Sequence, residues 1–195
     1  MKFIILSNAD TTSEYKNSER ILKSTDMLSK KGLENSDLLE TLMPESPDFI
    51  FVSPYISTLQ TIYPYCINNN KTVNIDYSLF PCEHKGVQKA RCNILKHHDY
   101  LSDIINKKYL GSILSNNVLE NESIFDIKNR LSPFLYKITS NLKKTNNVVL
   151  IVAQKCICQL ILNNFNIQTK ETIKEGNIVS FTIKNKNLEI ATSIL

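Results

Sequence analysis

The sequence predicts an α/β fold of three layers, a central and mostly parallel sheet flanked by helices, with a β-hairpin at its C-terminal end. Three observations carry this. Short apolar runs alternate along the chain with amphipathic helical segments, the order that builds parallel sheets. Two of the runs, residues 49–52 and 148–152, are apolar throughout and rich in β-branched or aromatic residues, as strands covered on both faces are. Near the end, residues 178–183 and 188–194 alternate as two arms around Asn185-Lys186-Asn187, which reads as a hairpin.

Taken in order, residues 2–7 form a first strand that ends in the polar turn Ser7-Asn8-Ala9-Asp10-Thr11. Residues 13–25 are polar and charged, a surface excursion with some helix over 14–23. Ser29 is placed to cap a helix whose apolar face is Leu33, Leu38, Leu39 and Leu42, and Pro44 and Pro47 end it. The strand at 49–52 stops at Ser53-Pro54. Proline suits the first turn of a helix and Ser53 can cap it, so a helix starts there, with Tyr55, Ile56, Leu59, Ile62 and Tyr63 at helical spacing as far as about Cys66. Pro64 should distort it. That strand–turn–helix geometry puts a helix N-terminus at the carboxyl end of a strand, where open α/β sheets bind ligands, often anions.

Residues 72–75 make a short strand. From 77 to 122 the pattern is poor: 81–84 reads as a loop, 87–105 as helix in pieces, and 116–122 as polar linker. Ser123 caps a helix with Ile124, Ile127, Leu131, Phe134, Leu135, Ile138 and Leu142 on one face, kinked at Pro133. The run 148–152 is the most strand-like in the chain and reads as a central strand. It passes through Ala153-Gln154-Lys155 into a helix from Cys156 to about Phe165, with one of Cys156 and Cys158 buried and the other partly so.

Bulk properties narrow the classes. A length of 195 residues with 42% hydrophobic content fits one domain, 1–195, around one core. A net charge of +4, with lysines interspersed among acids, describes a solvated surface rather than a nucleic-acid face. No apolar run approaches the roughly 18 residues of a membrane span, and the N-terminal stretch stops at Leu6, too short for a signal-peptide core. Five cysteines are an odd number without a secretion signal, so reduced thiols and a cytoplasmic location are expected. Abundant Asn, Ile and Lys with four glycines suggest an AT-rich genome, such as that of a virus or parasite, which would place the protein in the host cytoplasm. Phosphate-binding loops and dinucleotide fingerprints are missing from the sequence. The spacing of Cys82, His84, Cys92, His97 and His98 matches no closed zinc pattern, so neither metal nor cofactor is expected.

Four segments converge on one family. Ser53-Pro54-Tyr55-Ile56-Ser57-Thr58-Leu59-Gln60-Thr61, behind a strand opened by Pro47-Asp48, resembles the Ser-Pro, two apolar residues, Arg-Thr, any residue, Gln-Thr of the histidine phosphatase superfamily, the phosphoglycerate-mutase-like fold. Leu28-Ser29-Lys30-Lys31-Gly32 is similar to its Leu-Thr, two polar residues, Gly helix start. Leu6-Ser7-Asn8-Ala9-Asp10-Thr11 sits where it has Leu-Arg-His-Gly-Glu-Thr, and 149–156 where it has a strand ending in Ser-His-Gly-Gly.

The resemblance implies a pocket of Ser7, Asn8, Asp10, Ser57, Glu83, Gln154 and Lys155. In the family a histidine is phosphorylated, two arginines and a second histidine hold the phosphoryl oxygens, and a carboxylate is the acid. Here the nucleophile's position holds Asn8, the two arginines' positions hold Ser7 and Ser57, and the second histidine's position holds Gln154; Glu83 stands as the acid. A carboxamide nitrogen, its lone pair delocalised into the carbonyl, is no nucleophile, and serine lacks the charged fork that grips phosphate. The expected function is that of a catalytically inactive member acting as a binding or scaffold module. Its expected partner is another protein, with a weakly held phosphorylated small molecule as a further ligand. The alternative is a phosphatase or other hydrolase with a relocated site using Glu83, His84 or a cysteine. The first reading requires Ser7, Asn8, Ser57 and Gln154 to meet at one cleft between adjacent strands.

Overall fold

The structure is a computed structural model that describes residues 1–12, 26–81, 99–108, 122–140, 146–169 and 171–183, together with the backbone of 15–16, 19–20, 141, 184 and 187–189. Its main sheet contains β1 (Lys2–Ser7), β4 (Phe49–Val52), β5 (Asn74–Ile75), β6 (Val148–Ala153), β7 (Ile178–Lys184) and β8 (Asn187–Glu189). They lie in the order β5-β4-β6-β1-β7-β8. The first four are parallel, whereas β7 runs antiparallel to β1 and β8 antiparallel to β7, so the expected hairpin closes one edge. Two short strands, β2 (Tyr15–Lys16) and β3 (Glu19–Arg20), pair antiparallel where helix is expected from the sequence.

β6 is central because every one of its residues is buried, an environment that suits its Val-Val-Leu-Ile-Val-Ala sequence. Its register against β4 is locked at the entrance. There the Asp48 amide donates to the Val148 carbonyl at 2.8 Å, and the Val148 amide donates to the Asp48 carboxylate at 2.8 Å. Alternate strand residues feed two cores. Ile4, Leu6, Ile50, Val52, Leu150 and Val152 face α3 (Ile56–Asn68). Phe3, Ile5, Phe51, Val149 and Ile151 face α4 (Ile124–Asn141) and α5 (Lys155–Asn164). Helices therefore cover both faces, as the three-layer prediction requires.

Several local expectations are corrected. α3 begins at Ile56 and not at Pro54, and its N-cap is Tyr55, because the Ser53 hydroxyl is committed to Gln154. α3 and α4 carry Pro64 and Pro133 inside the helix, the positions at which distortion is expected. In α1 (Lys30–Asp37) the buried residues are Gly32 and Ser36, while Leu33 and Leu38 are exposed; of the expected apolar face, Leu39, in α2 (Leu39–Leu42), is the buried member. Ile124 is likewise exposed at the start of α4. Ser123 does cap α4, and its hydroxyl and amide both donate to Asp126, which hydrogen bonding holds below the usual carboxylate range. Residues 99–104 form a 3-10 turn. Glu83, His84 and the cluster Cys82, Cys92, His97 and His98 lie outside the described residues.

The described cysteines divide as expected, Cys158 buried and Cys156 intermediate. Burial pushes the Cys66 thiol up to about 12, against a smaller opposing pull from Lys71, and it also raises Cys158. At pH 8 about one Cys66 in ten thousand is then thiolate. Iodoacetamide on the native protein should modify Cys156 and spare Cys66 and Cys158 until denaturant is added. Equal native labelling of Cys66 and Cys156 in peptide mass spectra would contradict this. Because folding raises the Cys66 pKa, its neutral thiol contributes full stability below about pH 9, and that contribution is lost as the pH rises toward 12.

Candidate functional site

β1 and β6 end side by side, with Ser7 paired to Ala153, so the residues that follow them emerge at one point. The Asn8 amide donates to the Ala153 carbonyl at 3.0 Å. β4 ends on the other side of β6, and the Ser53 hydroxyl there donates to the Gln154 carboxamide oxygen at 3.1 Å. One turn later Ser57 joins the group through Thr61, whose hydroxyl donates to the Ser57 carbonyl at 2.7 Å and accepts the Ala9 amide at 3.0 Å. The backbone at Ser7, Asn8, Ser57 and Gln154 thus lies at or just past the carboxyl ends of three adjacent strands, and each of these residues is 3% exposed or less.

The walls are held by the residues at the ends of the strand–turn–helix motif. The Thr58 hydroxyl donates to the Ser53 and Tyr55 carbonyls, both at 2.7 Å. The Gln60 side chain accepts the Leu28 amide at 2.9 Å and donates to the Tyr100 hydroxyl at 2.8 Å. Sequence reasoning singled out none of Ser53, Gln60 and Thr61 as site builders, although the intact Ser-Pro and Gln-Thr ends of the motif were the signal for them.

Asp10 serves the scaffold. Its carboxylate accepts the Ser29 hydroxyl, its carbonyl accepts the Ser29 amide at 3.0 Å, and Ser29 in turn caps α1 through the Gly32 amide at 3.1 Å. Lys155, the first residue of α5, is exposed.

The electrostatics follow from this inventory. The four gathered side chains are neutral. The Asn8 carboxamide donates to the adjacent Ala9 carbonyl at 2.9 Å. Ser7 Oγ and Gln154 Nε2 are buried polar atoms without a hydrogen-bond partner among the described residues. The backbone adds positive character, because α3 and α5 both start here and neither is capped by a side chain. Tyr55, at the start of α3, keeps its phenol protonated well above the usual range, chiefly because it is buried. Among the described residues, no group of three His, Cys, Asp or Glu side chains could hold a metal ion, and none of the helices is long and apolar enough to cross a membrane.

No protein-family profile and no curated protein matches the sequence. Solved structures match the fold. The chain is similar to the alpha-ribazole phosphatase from Shigella flexneri, with a TM-score of 0.65 and 14% identity over 100% of this chain and 96% of that one. It is similar to the ecdysone phosphate phosphatase from Bombix mori, solved with tungstate, with a TM-score of 0.70 and 8% identity over 98% and 92% of the two chains. A phosphoserine phosphatase from Entamoeba histolytica, in complex with 3-phosphoglyceric acid, gives 0.61 and 14% over 100% and 96%. The chain therefore has the phosphoglycerate-mutase-like fold of the histidine phosphatases.

Proposed function

We propose that this protein is a catalytically inactive histidine-phosphatase-like module whose role is to bind, with another protein as its partner. The observation that carries this reading is the neutrality of the gathered site. At the strand ends, where phosphoryl transfer on this fold calls for an imidazole nucleophile and cationic clamps, Ser7, Asn8, Ser57 and Gln154 stand buried and uncharged. Asn8 offers no lone pair with which to attack phosphorus. Without guanidinium groups at positions 7 and 57 the charge on a developing trigonal phosphoryl group loses two of its expected clamps, and that stabilisation is most of what this chemistry needs. The orphaned Ser7 Oγ and Gln154 Nε2, beside two uncapped helix N-termini, leave hydrogen-bonding capacity suited to a weakly held phosphorylated small molecule.

The test is turnover. Purified protein is expected to hydrolyse p-nitrophenyl phosphate and phosphoserine no faster than a buffer blank, with Asn8→Ala unchanged. Turnover that vanishes in Asn8→Ala would overturn the reading, and turnover that survives it would move the chemistry to another nucleophile. A combined Ser7→Arg, Asn8→His, Ser57→Arg and Gln154→His variant is expected to gain measurable phosphatase activity.

A further inference from the structure

We propose that the groove between α1 and α3 is a docking site for an amphipathic helix of a partner protein, flanked by lysine or arginine. The groove measures about 440 Å3 and is lined by Leu33, Tyr63, Pro64, Ile67 and Tyr100, with Asp37 at its rim. Leu33, Ile67 and Tyr100 are 47, 48 and 41% exposed, so apolar surface faces solvent here in a cluster and not singly. The proposal supplies a partner class for the binding role inferred above and rests on that reading only for its purpose.

Shape argues for a helix. Gln60, Tyr63, Pro64, Ile67 and Asn68 line the floor at spacings of three, four, seven and eight, one continuous face of α3 about 12 Å long. That length matches two turns of a partner helix presenting apolar residues at i, i+3 or i+4, and i+7. The lining elements are α1, α3 and the 3-10 turn Asp99–Ile104, none of them a strand. An extended peptide would find no strand edge here to pair with, whereas a helix brings its own hydrogen bonds.

Charge argues for a basic flank. Asp37 stands on α1 beside Leu33, one turn on. In the 3-10 turn Asp99–Ile104, residues three apart eclipse, so Asp103 shares the face of Tyr100. Neither Asp37 nor Asp103 has a counter-ion among the described residues. On the α1 flank, Glu34 lies 4.0 Å from Lys30. Glu40 holds Asn68 at the end of the floor, at 3.2 Å.

The surface is also preformed. Gln60 fixes the Tyr100 hydroxyl at 2.8 Å, and Tyr63 meets the Tyr100 ring edge-on at 5.1 Å. A fixed aromatic loses little freedom on binding, which is what makes tyrosine effective at interface centres.

The experiment is phage selection from a library of random peptides of about four helical turns. The bait is the full chain, with counter-selection on Ile67→Glu. Enriched peptides are expected to carry net positive charge and the i, i+3 or i+4, i+7 apolar pattern. Their synthetic forms should bind Ile67→Glu and Leu33→Glu at least about tenfold more weakly than wild type. Asp37→Lys combined with Asp103→Lys should weaken binding about fivefold, and added salt should weaken it further. All four replaced residues, Leu33, Asp37, Ile67 and Asp103, are solvent-facing, and matching thermal melts check that the variants fold. No enrichment, enrichment of acidic or unpatterned peptides, or equal binding to the variants would overturn the proposal. So would sedimentation showing a wild-type dimer that Ile67→Glu dissociates, which would assign the groove to a second copy. Turnover by the wild-type enzyme would sink the inactive reading and leave the peptide result standing, so the two failures are distinguishable.

Discussion

Gly32→Ala is expected to destabilise the protein by about 3 kcal/mol or more, at the upper end of overpacking changes. Inside an exposed helix the same substitution would stabilise by about 1 kcal/mol. Here a Cβ at Gly32 would lie 2.0 Å from the Asp10 carbonyl oxygen and 3.0 Å from its carbon, both backbone atoms. Asp10 cannot move aside cheaply, because its carbonyl accepts the Ser29 amide and its carboxylate the Ser29 hydroxyl. Easing the clash therefore means giving up the cap of α1 and shifting the turn that carries Asn8. The clash outweighs the propensity. Urea unfolding measures it, and a Gly32→Ala midpoint equal to or above wild type would contradict the close approach.

Arg130→Met is the second large effect, expected to cost about 3–5 kcal/mol, as removing one partner of a buried ion pair does. Arg130 Nε lies 2.9 Å from both carboxylate oxygens of Glu122, whose side chain is 3% exposed. The same guanidinium donates to the carbonyls of Ser78, Phe80 and Pro81. One side chain thus clasps α4 to the turn that follows β5. Losing it strands a buried carboxylate and three carbonyls together. Adding Glu122→Leu to Arg130→Met should recover a large part of the loss, since the stranded charge is then gone. A single variant within about 1 kcal/mol of wild type would refute the clasp.

What the sequence made legible was local or strongly patterned. The 148–152 run could only be a covered strand, and Ser29 with Gly32 three residues on spelled out a helix start. The four segments behind the resemblance also lead to the fold seen, with β1, β4 and β6 adjacent in the sheet and ending on the same side. What escaped prediction depends on partners far along the chain. Ser53 looked like a cap, yet its hydroxyl serves Gln154, 101 residues away. Helical periodicity marked Leu33 and Leu38 as inward, but the backbone of Asp10 comes so close that the glycine face of α1 turns in instead. Nothing around Arg130 announces carbonyl partners 49 to 52 residues back. Glu83 was placed on the resemblance alone and lies outside the described residues.

The strand order also sets a timetable for the growing chain. β1 and β4 are never neighbours; β6 lies between them and pairs with both. The partner of Lys2 is Val148, so the first strand waits for some 146 residues of synthesis (148 − 2) before its parallel neighbour exists. At roughly 5–20 residues per second that delay is on the order of 10–30 s. Throughout it Phe3, Ile4, Ile5 and Leu6, all buried at the end, lack the neighbouring strand that β6 supplies. Emergence of β6 from the ribosome is the event that lets the sheet close, and a nascent chain arrested before it is a client for chaperones.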